Sequence, residues 1–150
     1  MAQTSIDFEI FQASLRDLIP VRKLEKLCFP VDAWPLLDMI GALSFPNIVR
    51  YKARIGDQIV GFIAGEVKGT TQTGWIATLC VHPKYRRKGI GEELLRLCEQ
   101  EMQMPRIRLT VRESNQGAIK LYETHGYYKV NRWKNYYKGG EDGVVMEKIL

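Results

Sequence analysis

One short stretch of the sequence combines positive charge with glycine in a pattern that suits an anionic ligand. It runs Arg-x-x-Gly-x-Gly and follows an apolar segment that ends at Val81; its residues are Arg86, Arg87, Lys88, Gly89, Ile90 and Gly91. Glycine lets a backbone approach a ligand closely, and the first amides of a helix are unpaired donors at the positive end of the helix dipole. We therefore predict that this turn holds phosphate groups. The spacing differs from both common nucleotide-binding glycine loops.

A second candidate set lies downstream. Ser114 or Asn115 can cap a helix that Gly126 ends, and Tyr122 lies one or two turns beyond that cap. Tyr136 and Tyr137 are adjacent in a later polar segment, and on a strand they would point to opposite faces. Each feature also has a simpler interpretation. The basic turn can be an ordinary helix start and Asn115 a simple helix cap. Tyr122 can be a core tyrosine, and the two adjacent tyrosines can mark the end of a hairpin.

The elements that must position these residues follow from hydrophobic periodicity. The order is strand, two helices, three strands, helix, strand, helix and two strands. The predicted strands are 8–13, 48–55, 59–67, 75–81, 106–112, 128–133 and 144–149, and the helices start near Asp17, Trp34, Gly91 and Asn115. The nearly continuous apolar run 75–81 predicts a central strand buried on both faces, with 106–112 beside it.

Composition limits the classes of function. A chain of 150 residues fits one domain, 1–150, and the net charge of +5 suits a cofactor that carries several phosphates. No nucleic-acid-binding pattern is present, so we expect no nucleic-acid partner. Cys28, Cys80 and Cys98 lack the spacing of a metal site or a disulfide framework, which predicts reduced core cysteines and no metal. The polar N-terminus and the lack of a long apolar run predict a cytoplasmic protein that does not bind membranes.

Two motifs together resemble a known family. The turn from Arg86 to Gly91 looks like the acetyl-CoA pyrophosphate loop of the GNAT superfamily of N-acetyltransferases, and Asn115-x-x-Ala-Ile-x-Leu-Tyr122-Glu-x-x-Gly-Tyr127 looks like its second signature. The resemblance implies an α/β (α+β) GNAT fold. That fold has a central mixed, mostly antiparallel sheet of about seven strands, in which the fourth and fifth strands splay apart, and about four helices.

The resemblance also implies roles for single residues. Backbone groups around Leu79, Cys80 and Val81 would meet the pantetheine arm of acetyl-CoA beyond the point, after Leu79, where the central strand leaves its neighbour. The amides from Arg87 to Gly91 would hold the pyrophosphate, Asn115 would contact the cofactor, and Tyr122 would protonate the leaving thiolate.

Two further stretches resemble protein N-terminal acetyltransferases of the RimI and Ard1 type. They are Cys28-Phe29-Pro30-Val31 and the C-terminal run Asn135-Tyr136-Tyr137-x-x-Gly-Glu141-Asp142. This implies that Phe29, Pro30, Val31, Tyr136 and Tyr137 bind a protein or peptide N-terminus. We expect a monomer or a homodimer.

The usual general base of the superfamily is missing. Its expected positions hold Trp75 and Thr110, which cannot accept a proton; the remaining candidates are Glu66, His82, His125, and Tyr136 or Tyr137 acting through water. At pH 7.5 roughly a quarter of α-amines are neutral, compared with about one lysine in a thousand, so an enzyme without a strong base suits α-amines better.

Two other functions stay open. One is a small-amine acetyltransferase of the same fold, which acts on a polyamine, an amino acid or an antibiotic. The other is an acetyl-CoA-binding module with weak or no catalysis. An acidic pocket would favour a polyamine, whereas tyrosines over an apolar floor would favour a peptide.

Overall fold

The computed structural model describes residues 7–150. The first six residues, which belong to the polar N-terminal stretch considered above, lie outside the described part. The strands are β1 (Glu9–Gln12), β2 (Ile48–Ile55), β3 (Gln58–Lys68), β4 (Thr73–Val81), β5 (Arg106–Arg112), β6 (Tyr128–Trp133) and β7 (Gly143–Ile149). The helices are α1 (Leu18–Cys28), α2 (Leu36–Ala42), α3 (Ile90–Met102) and α4 (Gln116–Thr124). Three short 3₁₀ turns cover Leu15–Asp17, Gly69–Thr71 and Pro83–Tyr85.

All seven strands belong to one sheet in the order β1-β2-β3-β4-β5-β7-β6. Neighbouring strands are antiparallel except β4 and β5, which are parallel. The predicted mixed, mostly antiparallel sheet with four helices is therefore confirmed.

Apolar residues cover both faces of the sheet. On one face α3 buries Ile90, Leu94, Leu95, Cys98 and Met102, which recur at helical spacing, and α4 contributes to the same cluster. On the other face α1 and α2 pack over β3 and β4. Burying one large apolar side chain stabilises the folded state by about 1.5–3 kcal/mol, so these contacts hold both helix pairs against the sheet.

The divergence of β4 from β5 begins earlier than we predicted. The two strands pair only at Thr73, Gly74 and Trp75, so they separate after Trp75 and not after Leu79. The cause is a shift in the β3–β4 register between Ala64 and Gly65, which leaves Ala77 as an extra residue on β4.

The predicted burial of β4 on both faces therefore holds only for part of the strand. Thr73 and Gly74 are buried, whereas Ala77 is exposed and Leu79 and Val81 are half-buried. We call the edge of β4 from Ala77 to Val81, which does not pair with β5, the open edge.

Among residues 7–150, no helix has the length and apolar character needed to cross a membrane. Within the same range, no cluster of three or more histidine, cysteine, aspartate or glutamate residues could hold a metal ion.

Candidate active site

The basic turn links the end of β4 to the start of α3. Arg86, Arg87 and Lys88 are exposed, and Arg86 Nε donates a hydrogen bond of 3.0 Å to the carbonyl of Val81. Arg87 and Gly89 have positive φ angles of 62° and 85°, so the backbone turns sharply just before the first helical residue, Ile90. The turn therefore presents the first amides of α3 together with three cationic side chains.

The two glycines of the turn serve different purposes. Gly89 has a left-handed conformation, which explains a glycine there without any ligand. Gly91 has no such φ, and a methyl group at its position would meet only Val81, at an ordinary contact distance of 3.5 Å. Since neither conformation nor packing within the chain requires glycine at 91, the residue fits a backbone that a ligand must approach closely.

The open edge directs the backbone groups of two residues away from β3. The amide of His82 donates to Val60 O at 2.8 Å, and hydrogen-bonded and non-hydrogen-bonded pairs alternate along an antiparallel ladder. The backbone groups of Cys80 therefore face β3, whereas those of Leu79 and Val81 face the gap left by β5.

The structure thus separates the three residues that we expected at the cofactor arm. Leu79 and Val81 lie on the open edge with their backbone groups towards it. Cys80 lies on the same stretch of strand, but its backbone groups pair with β3 and its side chain, which is 3% exposed, packs in the core beneath α1. The carbonyl of Val81 is already occupied by Arg86 and by Cys28 Sγ, which lies at 3.3 Å, so its amide is the group that remains to face a ligand.

Helix α4 positions the second predicted pair. Asn115 is the N-cap, with its side-chain oxygen accepting a hydrogen bond of 3.2 Å from the amide of Ala118, so the predicted cap is confirmed at Asn115. Tyr122 lies seven residues further along, about two helical turns, and is 9% exposed. Its ring packs edge to face against Tyr127 at 5.6 Å between centroids.

The phenol of Tyr122 stays protonated over a wide pH range. Burial, and then the nearby Cys80, raise its pKa to about 12. A buried phenol that keeps its proton at neutral pH has the properties of a general acid.

The loops expected to bind a substrate are joined by Arg112, at the end of β5. Its guanidinium binds Asp32 in the α1–α2 loop through two hydrogen bonds of 2.6 and 2.8 Å, and Glu141 in the β6–β7 loop through one of 2.8 Å. It also lies over the Tyr137 ring, 4.8 Å from the centroid. We call Arg112, Asp32 and Glu141 the Arg112 clasp.

The Arg112 clasp also reaches the start of α4. Glu141 accepts a hydrogen bond of 2.7 Å from the amide of Ser114, the residue before the Asn115 cap. The contact with Ser114 and, after it, the hydrogen bond from Arg112 lower the pKa of Glu141 and keep it ionised. Both loops that we expect to bind a substrate are thereby connected to the helix that carries Tyr122.

An aromatic row covers the sheet face between these loops. Trp75 of β4 stacks on Trp133 of β6 at 5.9 Å, Trp133 contacts Tyr136 at 5.1 Å, and Tyr136 contacts Tyr137 edge to face at 4.9 Å. The two tyrosines lie in a turn after the positive φ of Asn135, so the strand alternation that we considered for them does not apply. Their rings instead touch each other.

The two tyrosines differ in environment. Tyr136 is 53% exposed, whereas Tyr137 is half-buried. Burial and the neighbouring Tyr136 raise the pKa of Tyr137 well above its ordinary value, so its hydroxyl stays neutral. In the facing α1–α2 loop, Pro30 and Val31 are exposed while Phe29 packs against the core.

The positions at which a general base was expected do lie in this face. Trp75 belongs to the aromatic row, and a methyl group at Gly143 would lie 2.8 Å from Thr110 Cγ2 and 3.1 Å from Tyr136 Cδ1.

Of the other candidates, Glu66 is opposite Trp75 in the β3–β4 register and pairs with Lys68 at 3.5 Å. His82 caps the 3₁₀ turn after β4 and His125 bonds Leu121 O at 2.8 Å, so each ring has a local structural partner.

Sequence patterns did not reveal Arg112, Asp32, Glu141 or Trp133 as parts of this face. A charged residue at a strand end is common, and the Arg112–Asp32 contact joins positions 80 apart in the chain. The one local signal was the Gly-Glu-Asp run after the paired tyrosines.

Comparison with known proteins agrees with this geometry. The model of the acetyltransferase (GNAT) family matches residues 18–127. The catalytic subunit NAA20 of the N-terminal acetyltransferase B complex of Arabidopsis thaliana is 37% identical over 112 residues, which are 71% of this chain and 64% of that protein. An N-alpha-acetyltransferase of Saccharolobus solfataricus is 28% identical over 158 aligned positions, covering 96% of this chain and 94% of the relative.

A solved structure shares the architecture. The ribosomal-protein-S18-alanine N-acetyltransferase of Escherichia coli superposes with a TM-score of 0.86 at 23% identity, over 95% of this chain and 94% of that one. At that identity the likeness concerns the fold, whereas the family match covers most of the chain. The chain therefore belongs to the GNAT family of acetyltransferases.

Proposed function

We propose that this protein transfers the acetyl group of acetyl-CoA directly to the α-amine of a protein or peptide N-terminus. The observation that carries the proposal is the Arg112 clasp, which joins the α1–α2 loop to the β6–β7 loop, the two loops that would border an acceptor cleft. The relatives named as N-alpha-acetyltransferases support the same acceptor.

The donor would bind on one side of the open edge. The amides from Arg87 to Gly91 would hold the pyrophosphate, with the exposed charges of Arg86 and Lys88 around them. The backbone groups of Leu79 and Val81 would pair with the pantetheine arm, and Asn115 would contact it from α4. Acetyl-CoA supplies an activated acetyl thioester when bound.

Two groups of the chain would then assist the transfer. The amide of Leu79, which faces the gap between β4 and β5, would stabilise negative charge on the thioester oxygen as the amine attacks. The hydroxyl of Tyr122 would give its proton to the leaving thiolate; its pKa of about 12 keeps that proton available.

The acceptor would enter between the loops, opposite the donor. Pro30 and Val31 would border its first side chain with Phe29 behind them, while the hydroxyls of Tyr136 and Tyr137 would bind its backbone. The cleft floor is aromatic and lies near Lys68, whose ammonium is 5.9 Å from the centre of the Trp75 ring. Such a floor suits a peptide better than a polycationic amine.

The incoming amine must lose a proton before it attacks. Glu66 is the one carboxylate among the predicted candidates. It lies opposite Trp75 of the aromatic row in the strand register, and it would act through water. A directly positioned base is worth about a hundredfold to ten-thousandfold in rate, and a carboxylate that acts only through water supplies less, so the enzyme would be limited to amines that are partly neutral at working pH. An α-amine with a pKa near 8 meets this condition and a lysine side chain does not.

Thiol release from acetyl-CoA over an acceptor panel tests the proposal. The panel contains peptides with free N-termini, N-blocked peptides with an internal lysine, and small polyamines. Turnover on free N-termini alone is the expected result. Turnover on small amines alone would assign the alternative acceptor class, and tight acetyl-CoA binding without turnover on any amine would assign a binding module.

A further inference from the structure

Two cysteines meet beneath the open edge, at the junction of α1 and β4. Cys28 is the last residue of α1 and is half-buried; Cys80 lies in β4 and is 3% exposed. The Cys28 thiol donates to Val81 O at 3.3 Å, so its sulfur lies beside the residue that follows Cys80. Both cysteines pack in the core cluster between α1 and the sheet.

A cation completes this environment. Arg86 Nε binds the same carbonyl of Val81 at 3.0 Å, so the guanidinium and the Cys28 sulfur converge on one oxygen. The contact with Cys80 and, more weakly, Arg86 lower the pKa of Cys28 to about 7 against the opposing effect of burial. The pKa of Cys80 is raised, first by the same contact and then by burial. An accessible thiolate next to a cation and a second thiol is the arrangement of oxidant-sensitive cysteines.

Cys98 provides an internal comparison. It lies on the opposite face of the sheet, in α3, and is fully buried. Burial and then Glu99 raise its pKa to about 12. Cys28 is therefore distinguished from the other cysteines by accessibility and by its neighbours.

We propose that Cys28 and Cys80 are a redox-modification site that reacts with hydrogen peroxide to form an intramolecular disulfide. The Cys28 thiolate attacks one peroxide oxygen: an S–O bond forms, the O–O bond breaks, and the released hydroxide takes a proton to become water. The sulfur of Cys80 then displaces hydroxide from the Cys28 sulfenic acid, which forms the S–S bond, and the Cys80 proton leaves with that hydroxide as water. Two thiols lose two electrons in total, and one peroxide is reduced to two waters.

The disulfide would change the contacts around the open edge. An S–S bond is about 2.05 Å long, so the two sulfurs must approach closely and Cys28 must leave Val81 O. The α1–α2 loop begins at the next residue, Phe29, and Arg86 would lose the sulfur beside its shared carbonyl. Oxidation should therefore lower acetyl transfer at least about fivefold, and a dithiol reductant should restore it.

The primary test does not depend on activity. The full chain is treated with hydrogen peroxide, free thiols are alkylated, and the digest is analysed by mass spectrometry. We expect a Cys28–Cys80 disulfide peptide and an alkylated Cys98. A Cys28 that stays reduced, or that proceeds to sulfinic acid without pairing, would overturn the proposal.

Two variants and one rate measurement complete the experiment. C98A should form the same disulfide, whereas in C80A a dimedone probe should trap the Cys28 sulfenic acid. In the unmodified chain, iodoacetamide should label Cys28 about a hundredfold faster than Cys98, because thiolate content and access both favour Cys28. Equal labelling rates would contradict the proposal even if C80A fails to fold.

Discussion

Arg112 of β5 binds both carboxylate oxygens of Asp32 in the α1–α2 loop through two hydrogen bonds of 2.6 and 2.8 Å, across 80 positions of sequence. The same guanidinium holds Glu141 and covers the Tyr137 ring, so one side chain defines the distance between the two loops of the proposed peptide cleft. A planar guanidinium can bind a carboxylate through two donors, and an ammonium cannot reproduce that geometry.

The first prediction concerns this contact. R112K should raise the KM for a peptide acceptor about tenfold while the KM for acetyl-CoA changes little, because the loops lose their fixed spacing but the basic turn is untouched. Steady-state kinetics with each substrate varied measures the two constants. The matched control is R96K on α3, where the Arg96–Glu93 pair is solvent-exposed and remote from the cleft. A larger effect on the acetyl-CoA constant would contradict the assigned role.

The second prediction concerns the proposed proton donor. Y122F should lower kcat about a hundredfold or more, because the thiolate would leave without a proton. Y127F is the matched control: it removes a buried hydroxyl that donates to Glu99 at 2.6 Å on the far side of the same aromatic pair. That variant should lose about 1–3 kcal/mol of stability and keep most of its activity. Equal kcat losses in both variants would indicate a packing role for Tyr122.

The third prediction is a pH profile. The rate should rise as the α-amine of the peptide loses its proton, with a midpoint at about pH 8. Tyr122 acts in its protonated form, and its raised pKa of about 12 places the loss of that form well above the rising limb. The profile of kcat/KM should therefore reach a plateau that persists to about pH 10. A falling limb between pH 8 and 10 would show that another group, or an unshifted tyrosine, is the acid.

The fourth prediction concerns the glycine that the chain itself does not require. G91A should fold normally, since its methyl group would meet only Val81 at 3.5 Å, yet it should raise the KM for acetyl-CoA about tenfold by blocking close approach to the turn. G69A is the control, because a methyl group there has no neighbour within 4 Å and no positive φ is involved. Unchanged acetyl-CoA binding in G91A would remove the turn from the cofactor site.

Local patterns were sufficient to predict most of the fold. The spacing of Ile90, Leu94 and Cys98 specifies the buried face of α3, and Gly126 ends α4 where expected, because both signals depend on neighbours within a few residues. The separation of β4 from β5 was placed four residues too late, since it depends on a register shift opposite Ala64 that an apolar run does not reveal.

The candidate site was predicted less completely than the fold. Tyr122, Asn115 and the basic turn belong to contiguous motifs, so their neighbourhood can be read from the chain. Arg112 contacts Asp32 and Glu141 only when folding brings them to it, and the strand pairing that turns the Cys80 backbone towards β3 is equally invisible in the chain. Contacts between residues that are distant in sequence can be identified only from the folded structure.

The acceptor is the central claim, and competition between two amines on one peptide tests it most directly. A peptide with a free N-terminus and one internal lysine is incubated with the enzyme and acetyl-CoA, and tandem mass spectrometry locates the acetyl group. We predict acetyl transfer to the α-amine with at least about a hundredfold preference, given the pKa difference between the two amines and the absence of a strong base at Trp75 and Thr110. Equal or preferred modification of the lysine would contradict the account.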